Sequence, residues 1–170
     1  MNTGRNTVAS FILLSLIFLF PAPVTLAENS SEITRQVIVT LFEAFNRHDI
    51  ETLVGLYSED ARILSPGDIE PQIGRAVVHK IYKDHFDNIP GVHDAVQKII
   101  VDGNEGSVEF VASWDQPTED DRNARGNLRI AAFITVKDGK IIQDVSYFDR
   151  MELAERMKIE VMDERSKGLR

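Results

Sequence analysis

A chain of 170 residues with 43% hydrophobic and 27% charged side chains has the size and composition of a single globular domain, which excludes a two-domain enzyme and a disordered or fibrous chain. Its formal charge of −8 offers no basic footprint for a phosphate backbone, so nucleic acid is not an expected partner. The lack of cysteine excludes disulfides, thiolate metal sites, a cysteine nucleophile and acylation at a lipobox cysteine.

Residues 1–27 read as a secretory signal peptide. Arg5 precedes the apolar run Val8 to Phe20, Pro21 and Pro23 follow it, and Thr25 and Ala27 occupy the −3 and −1 positions of a cleavage site. The run is 13 residues long, short of the roughly 20 that span a bilayer. Cleavage after Ala27 is therefore expected to release a secreted or periplasmic protein that begins at Glu28, has no stable membrane anchor and relies on its apolar core alone.

Asn29 with Glu32 three residues on reads as a helix cap. Ile33, Val37, Leu41 and Phe45, with Ile38 and Phe42 beside them, then form a wide apolar stripe. His48-Asp49 ends this helix and caps a shorter one through Ile50, Leu53, Val54 and Tyr57. A short strand is predicted at Ala61 to Leu64, closing at Ser65-Pro66-Gly67. After Gly74 the spacing of Val77, Val78, Ile81, Tyr82, His85, Phe86 and Ile89 predicts a third helix, stopped by Pro90-Gly91.

From residue 93 the period changes from 3.6 to 2. Residues 93–101 and a strand with Val108, Phe110, Ala112 and Trp114 in phase are joined at Asp102-Gly103-Asn104. Pro117 to Arg125 reads as a polar loop. Gly126 to Lys137 and Lys140 to Asp149 meet at Asp138-Gly139, a strong hairpin signal. Residues 151–163 read as a C-terminal helix before a charged end. The layout is α+β: a curved antiparallel sheet wrapped over a long helix, with two further N-terminal helices and a cavity at the open end. Three segments follow, a signal peptide at 1–27, one domain at 28–150, and a helix with a charged tail at 151–170.

The segments Phe45 to Leu53, Leu56 to Ala61, Gly74-Arg75, Asp138 to Ile141 and Tyr147 to Asp149 resemble the NTF2-like superfamily, and within it SnoaL-like proteins, ketosteroid isomerases and limonene epoxide hydrolases. The resemblance implies an NTF2-like cone and leaves the activity open, because this fold hosts isomerases, dehydratases, cyclases, hydrolases and binding modules. The positions matching the isomerase base and oxyanion donors hold Ser65, Leu41 and Ala132, and those matching the hydrolase Asp-Arg-Asp set hold Ala112, Trp114 and Ser146. Neither chemistry is expected. Tyr82 matches the tyrosine that buttresses the isomerase oxyanion tyrosine. The last strand, where SnoaL-like cyclases carry an inward acid, holds Asp144 and Ser146.

Strand alternation places Ile142, Asp144, Ser146 and Phe148 on one face, which the resemblance directs into the cavity. Asp144 there is either an acid–base group with a raised pKa or a solvated or Arg-paired carboxylate. Trp114 is a stacking surface for a flat ligand or core filling; Tyr57 and Tyr82 donate into the cavity or to the backbone. His79 and His85, six residues apart, lie on different helix faces and cannot share a metal, so His85 on the apolar stripe is the better cavity candidate. His48 and His93 are expected in solvent, Asp115, Glu119, Asp120 and Asp121 in a solvated loop, and Asp149-Arg150 in a structural role. The reading is a cone that binds a small, largely apolar molecule, lined by Tyr57, Ser65, Trp114, Ser146 and Phe148. The competing reading is a cofactor-independent isomerase, cyclase or dehydratase using Asp144, Tyr82 and His85. Neither a metal nor a cofactor is expected, and the outer sheet face, with Arg129, Ala131, Phe133, Thr135, Gln143, Val145 and Tyr147, suits a homodimer.

Overall fold

The computed structural model describes residues 26–117, 121–122 and 124–157. Residues 1–25 of the expected leader, Glu119 and Asp120 of the acidic loop, and the tail beyond Met157 lie outside the described residues. Helix α1 (Leu26–Asn46) starts earlier than the Asn29–Glu32 pattern predicts. Leu26, Ala27 and Glu28 are good helix formers, so they carry the helix back past Asn29, and Glu28 in the first turn complements the dipole. Its stripe buries Val37, Ile38, Leu41, Phe42, Ala44 and Phe45.

His48 turns the chain in the left-handed region at φ 55°. Asp49 then caps α2 (Ile50–Leu56), accepting from the Thr52 amide at 3.0 Å and the Thr52 hydroxyl at 2.6 Å. Tyr57 is both the C-cap of α2 and the first residue of β1 (Tyr57–Leu64); its extended φ −89°, ψ 150° takes the helix straight into the strand. The strand is therefore longer than Ala61 to Leu64. It also gains an antiparallel neighbour absent from the sequence reading, β2 (Gln72–Ile73). Helix α3 (Arg75–Asn88) follows, then β3 (His93–Asp102), β4 (Glu105–Asp115), β5 (Arg125–Lys137), β6 (Lys140–Tyr147) and α4 (Arg150–Met157).

The six strands form one sheet in the order β2-β1-β6-β5-β4-β3. The pairing of β1 with β6 is parallel and the others are antiparallel. The β5–β6 turn puts Asp138 at φ 51° and Gly139 at φ 72°, the two positive φ values of a type I′ hairpin. Helix α1 approaches the concave face so closely at Gly106 that any Cβ there would meet the Ile38 side chain. The core lies between α1, α3 and that face, with Val108, Phe110, Ala132, Ile134, Val136 and Ile141 from the sheet.

Bulges in β6 and β3 reset the side-chain phase. In β6 the pairing passes from Thr135↔Gln143 to Val136↔Ile141, leaving Ile142 as the extra residue. Ile141 consequently points into the core, fully buried, and the expectation that Ile142 shares the inward face with Asp144 is corrected. In β3 the pairing passes from Val96↔Phe110 to Lys98↔Glu109, which leaves Gln97 as the extra residue.

Candidate functional site

A cavity of about 390 Å³ opens between α1, α3, the concave face of the sheet and α4. Leu41, Phe42 and Phe45 reach it from α1, Ile81 and Tyr82 from α3, and Phe110, Ala112 and Trp114 from successive inward positions of β4. Leu153 and Met157 of α4 complete the wall. That short helix is held in place by Asp149, which accepts from the Met151 amide at 2.8 Å and the Glu152 amide at 3.1 Å, and by the Gln116 side-chain amide donating to the Arg156 carbonyl.

Of the residues singled out in the sequence for this cavity, Tyr57, Ser65, Tyr82, His85, Trp114, Asp144, Ser146 and Phe148 line it, and Ile142 does not. So do the positions lacking the isomerase and hydrolase groups, Leu41, Ala112 and Ala132. Trp114 is buried and lies over Gly126, its cross-strand partner, where a Cβ would collide with the indole. His85 sits at the rim, exposed, and the part of its ring against the wall is desolvated, which lowers its pKa. Outside the cavity, His48 is exposed, stacks on Phe86 at 4.3 Å and places Nε2 at 3.2 Å from the Val92 carbonyl. His79 and His93 are exposed, and Asp115 pairs with Arg125 at 2.8 Å.

The polar end of the cavity is a hydrogen-bonded chain. The Tyr57 hydroxyl donates to Asp144 Oδ2 at 2.7 Å and lies 2.7 Å from the Tyr82 hydroxyl. Each hydroxyl has one proton, so with Asp144 ionised Tyr82 donates to Tyr57 and Tyr57 to Asp144. Tyr57 is 1% exposed. Its backbone carbonyl accepts from Arg75 Nε at 3.2 Å and Nη2 at 3.0 Å, and Arg75 is itself fixed to Glu59 at 2.8 Å. Arg75, Val78, Tyr82 and Phe86 follow the spacing of one face of α3, so the clamp on Tyr57 and the tyrosine facing it come from the same stripe. Burial pushes the Asp144 carboxyl up from its ordinary 3.8, and the Tyr57 hydrogen bond opposes this. Burial and the neighbouring Asp144 push both tyrosines well above 10, so both remain neutral donors.

A second carboxyl, which the sequence reading passed over, lines the same cavity. Asp94 is 9% exposed and stands opposite Ala112 in the β3–β4 ladder. The Asn46 side chain at the end of α1 clamps its backbone, donating to the Asp94 carbonyl and accepting from the Asp94 amide, both at 2.8 Å. The Asp94 carboxyl has no hydrogen-bond or ion-pair partner among the described residues. Burial alone raises its pKa from 3.8 to about 7. Among the described residues no group of three or more His, Asp or Glu is placed to hold a metal ion.

The sequence profile of the SnoaL-like domain family matches residues 38–143. Solved structures of similar shape include IdmH of Streptomyces antibioticus, assigned as a polyketide cyclase, at 23% identity and TM-score 0.64 over 74% of this chain and 99% of that one. A protein of Kribbella flavida DSM 17836 assigned as a ketosteroid isomerase is similar at 20% identity and TM-score 0.60, over 71% and 81% of the two chains. One of Jannaschia sp. CCS1, assigned as a SnoaL-like polyketide cyclase, is similar at 12% identity and TM-score 0.66, over 78% and 96%. At these identities the likeness establishes the NTF2-like cone and no particular reaction.

Proposed function

The chain belongs to the SnoaL-like domain family, and from that premise we propose that it is an exported protein that binds a small, largely apolar molecule in its cone. The observation that carries the reading is the cavity of about 390 Å³, apolar over most of its wall and polar at the Tyr82–Tyr57–Asp144 chain, which is the make-up of a small-molecule site. Export rests on the leader pattern of residues 1–27. Native mass spectrometry of protein purified from the export compartment is expected to detect a retained small molecule and a chain starting at Glu28. A chain starting at Met1 opposes export; a cavity that neither retains nor takes up apolar compounds opposes the binding reading.

A second reading is an isomerase, cyclase or dehydratase in which Asp144 moves a proton. The 2.7 Å bond from Tyr57 to Asp144 favours it, because a neutral tyrosine beside a buried carboxyl is a donor–acceptor pair. Asp144→Asn keeps size and hydrogen bonding while removing proton transfer, so an enzyme loses turnover with affinity kept, whereas a binding protein keeps affinity and has no turnover to lose. We also assign the outer sheet face to a homodimer. Phe133 and Tyr147 stand there 51% and 58% exposed with ring centroids 5.9 Å apart. Sedimentation is expected to show a dimer at micromolar concentration, and a monomer opposes this assignment.

A further inference from the structure

The cavity holds two carboxyls, Asp94 and Asp144, and no Lys or Arg among the described residues that line it. Asp144 has a hydrogen-bond donor in Tyr57. Asp94 has none, although its backbone is fixed on both sides by Asn46 and its side chain is all but buried. A carboxyl largely withdrawn from bulk water with no protein donor is costly, and no Lys or Arg of the lining offsets that cost. A neutral hydrocarbon in the cavity displaces water from Asp94 and makes matters worse. An anion meets two carboxyls of its own sign. A protonated amine provides both missing elements, a donor and a countercharge, in one charge-assisted bond.

We propose that the molecule this cavity takes is a hydrophobic amine whose protonated nitrogen donates to Asp94 while its apolar body lies along the aromatic wall. The proposal rests on the small-molecule reading above and names its ligand class. Phe45, Tyr82 and Trp114 all line the cavity, and aromatic faces favour a cation whose substituents have displaced its hydration. An apolar body is needed because most of the lining is apolar, from Leu41 and Phe42 to Ile130 and Leu153. The formal charge of −8 concentrates cations around the protein. The titratable groups that share the cavity with Asp94 are Asp144, Tyr57, Tyr82 and the rim His85, none of which brings a positive charge while His85 is neutral. Burial holds the free Asp94 carboxyl at about 7, so an ammonium that binds at neutral pH shifts it to the ionised form and releases a proton.

Trp114, the one tryptophan of the sequence, reports occupancy of the cavity by its fluorescence. Three probes of matched shape separate the possibilities: 4-phenylbutylamine, 4-phenylbutanol and 4-phenylbutyrate, titrated from pH 5 to pH 9. At pH 8 the amine is expected to bind at least about tenfold more tightly than the alcohol, as a charge-assisted bond implies. That preference should weaken as pH falls below 7 and collapse in Asp94→Asn. An alcohol or carboxylate bound as tightly as the amine, or an amine preference that is independent of pH or survives Asp94→Asn, overturns the proposal while leaving an apolar binding cavity in place. Failure of all three probes to perturb Trp114 overturns both. Should Asp94→Asn not fold, the pH series on the wild-type chain decides the question by itself.

Discussion

The cavity wall holds the same functional group twice, once hydrogen-bonded and once without a partner among the described residues. Both Asp94 and Asp144 are inward residues of one curved sheet, and burial raises the pKa of each. At Asp144 a tyrosine donates at 2.7 Å and a second tyrosine stands behind it. At Asp94 the backbone is clamped and the carboxyl is left alone. The difference separates positioning from solvation: Asn46 fixes where Asp94 sits without stabilising its charge, whereas Tyr57 does for Asp144 what water would otherwise do. Asp144 is satisfied within the protein, whereas Asp94 is complete only with a ligand.

Unpairing Asp144 has the largest expected effect. Tyr57→Phe leaves Asp144 buried without its donor, so stability at neutral pH should fall by about 3 kcal/mol in urea unfolding and the Asp144 carboxyl should titrate at a higher pH than in wild type. Asp94 behaves in the opposite sense. The folded pKa of Asp94 lies above its ordinary 3.8, so its contribution to stability is fully present below pH 4 and is lost as pH rises through about 7. Asp94→Asn should therefore be more stable than wild type by about 2 kcal/mol at pH 8 and show no advantage at pH 4 in the same assay. Removing the clamp with Asn46→Ala deletes two hydrogen bonds and should cost about 1.5 kcal/mol while lowering protection of the Asp94 amide in hydrogen exchange. Asp144→Asn, whose amide oxygen still accepts from Tyr57, should cost under about 1 kcal/mol.

Asp144 was legible in the sequence because regular alternation leads to it. Asp144, Ser146 and Phe148 keep one phase beyond the bulge of β6, as Phe110, Ala112 and Trp114 do along β4, where Ala112 stands opposite Asp94. Asp138-Gly139 marked the hairpin between β5 and β6 through its positive φ values. The bulges were not legible. Counting back from Ile99 and Val101, which pack on the core, a period of 2 puts Asp94 on the outer face; the extra residue Gln97 reverses the parity and turns Asp94 inward. The same device at Ile142 moved Ile141 into the core. A signal for Asp94 was nonetheless present, since it shares phase with buried Val92, and an acid in phase with an apolar neighbour at a strand entrance marks a candidate. The apolar spacing of Tyr57 continues that of Leu53 and points to the end of a helix, whereas its extended backbone makes it the root of β1.

Carbon-detected NMR titration of the Asp94 and Asp144 carboxyls in the ligand-free protein tests the asymmetry most directly. An Asp94 midpoint near 7 that moves down on addition of 4-phenylbutylamine, with little change at Asp144, is the predicted result. An Asp94 midpoint at the ordinary 3.8, unmoved by the amine, contradicts it.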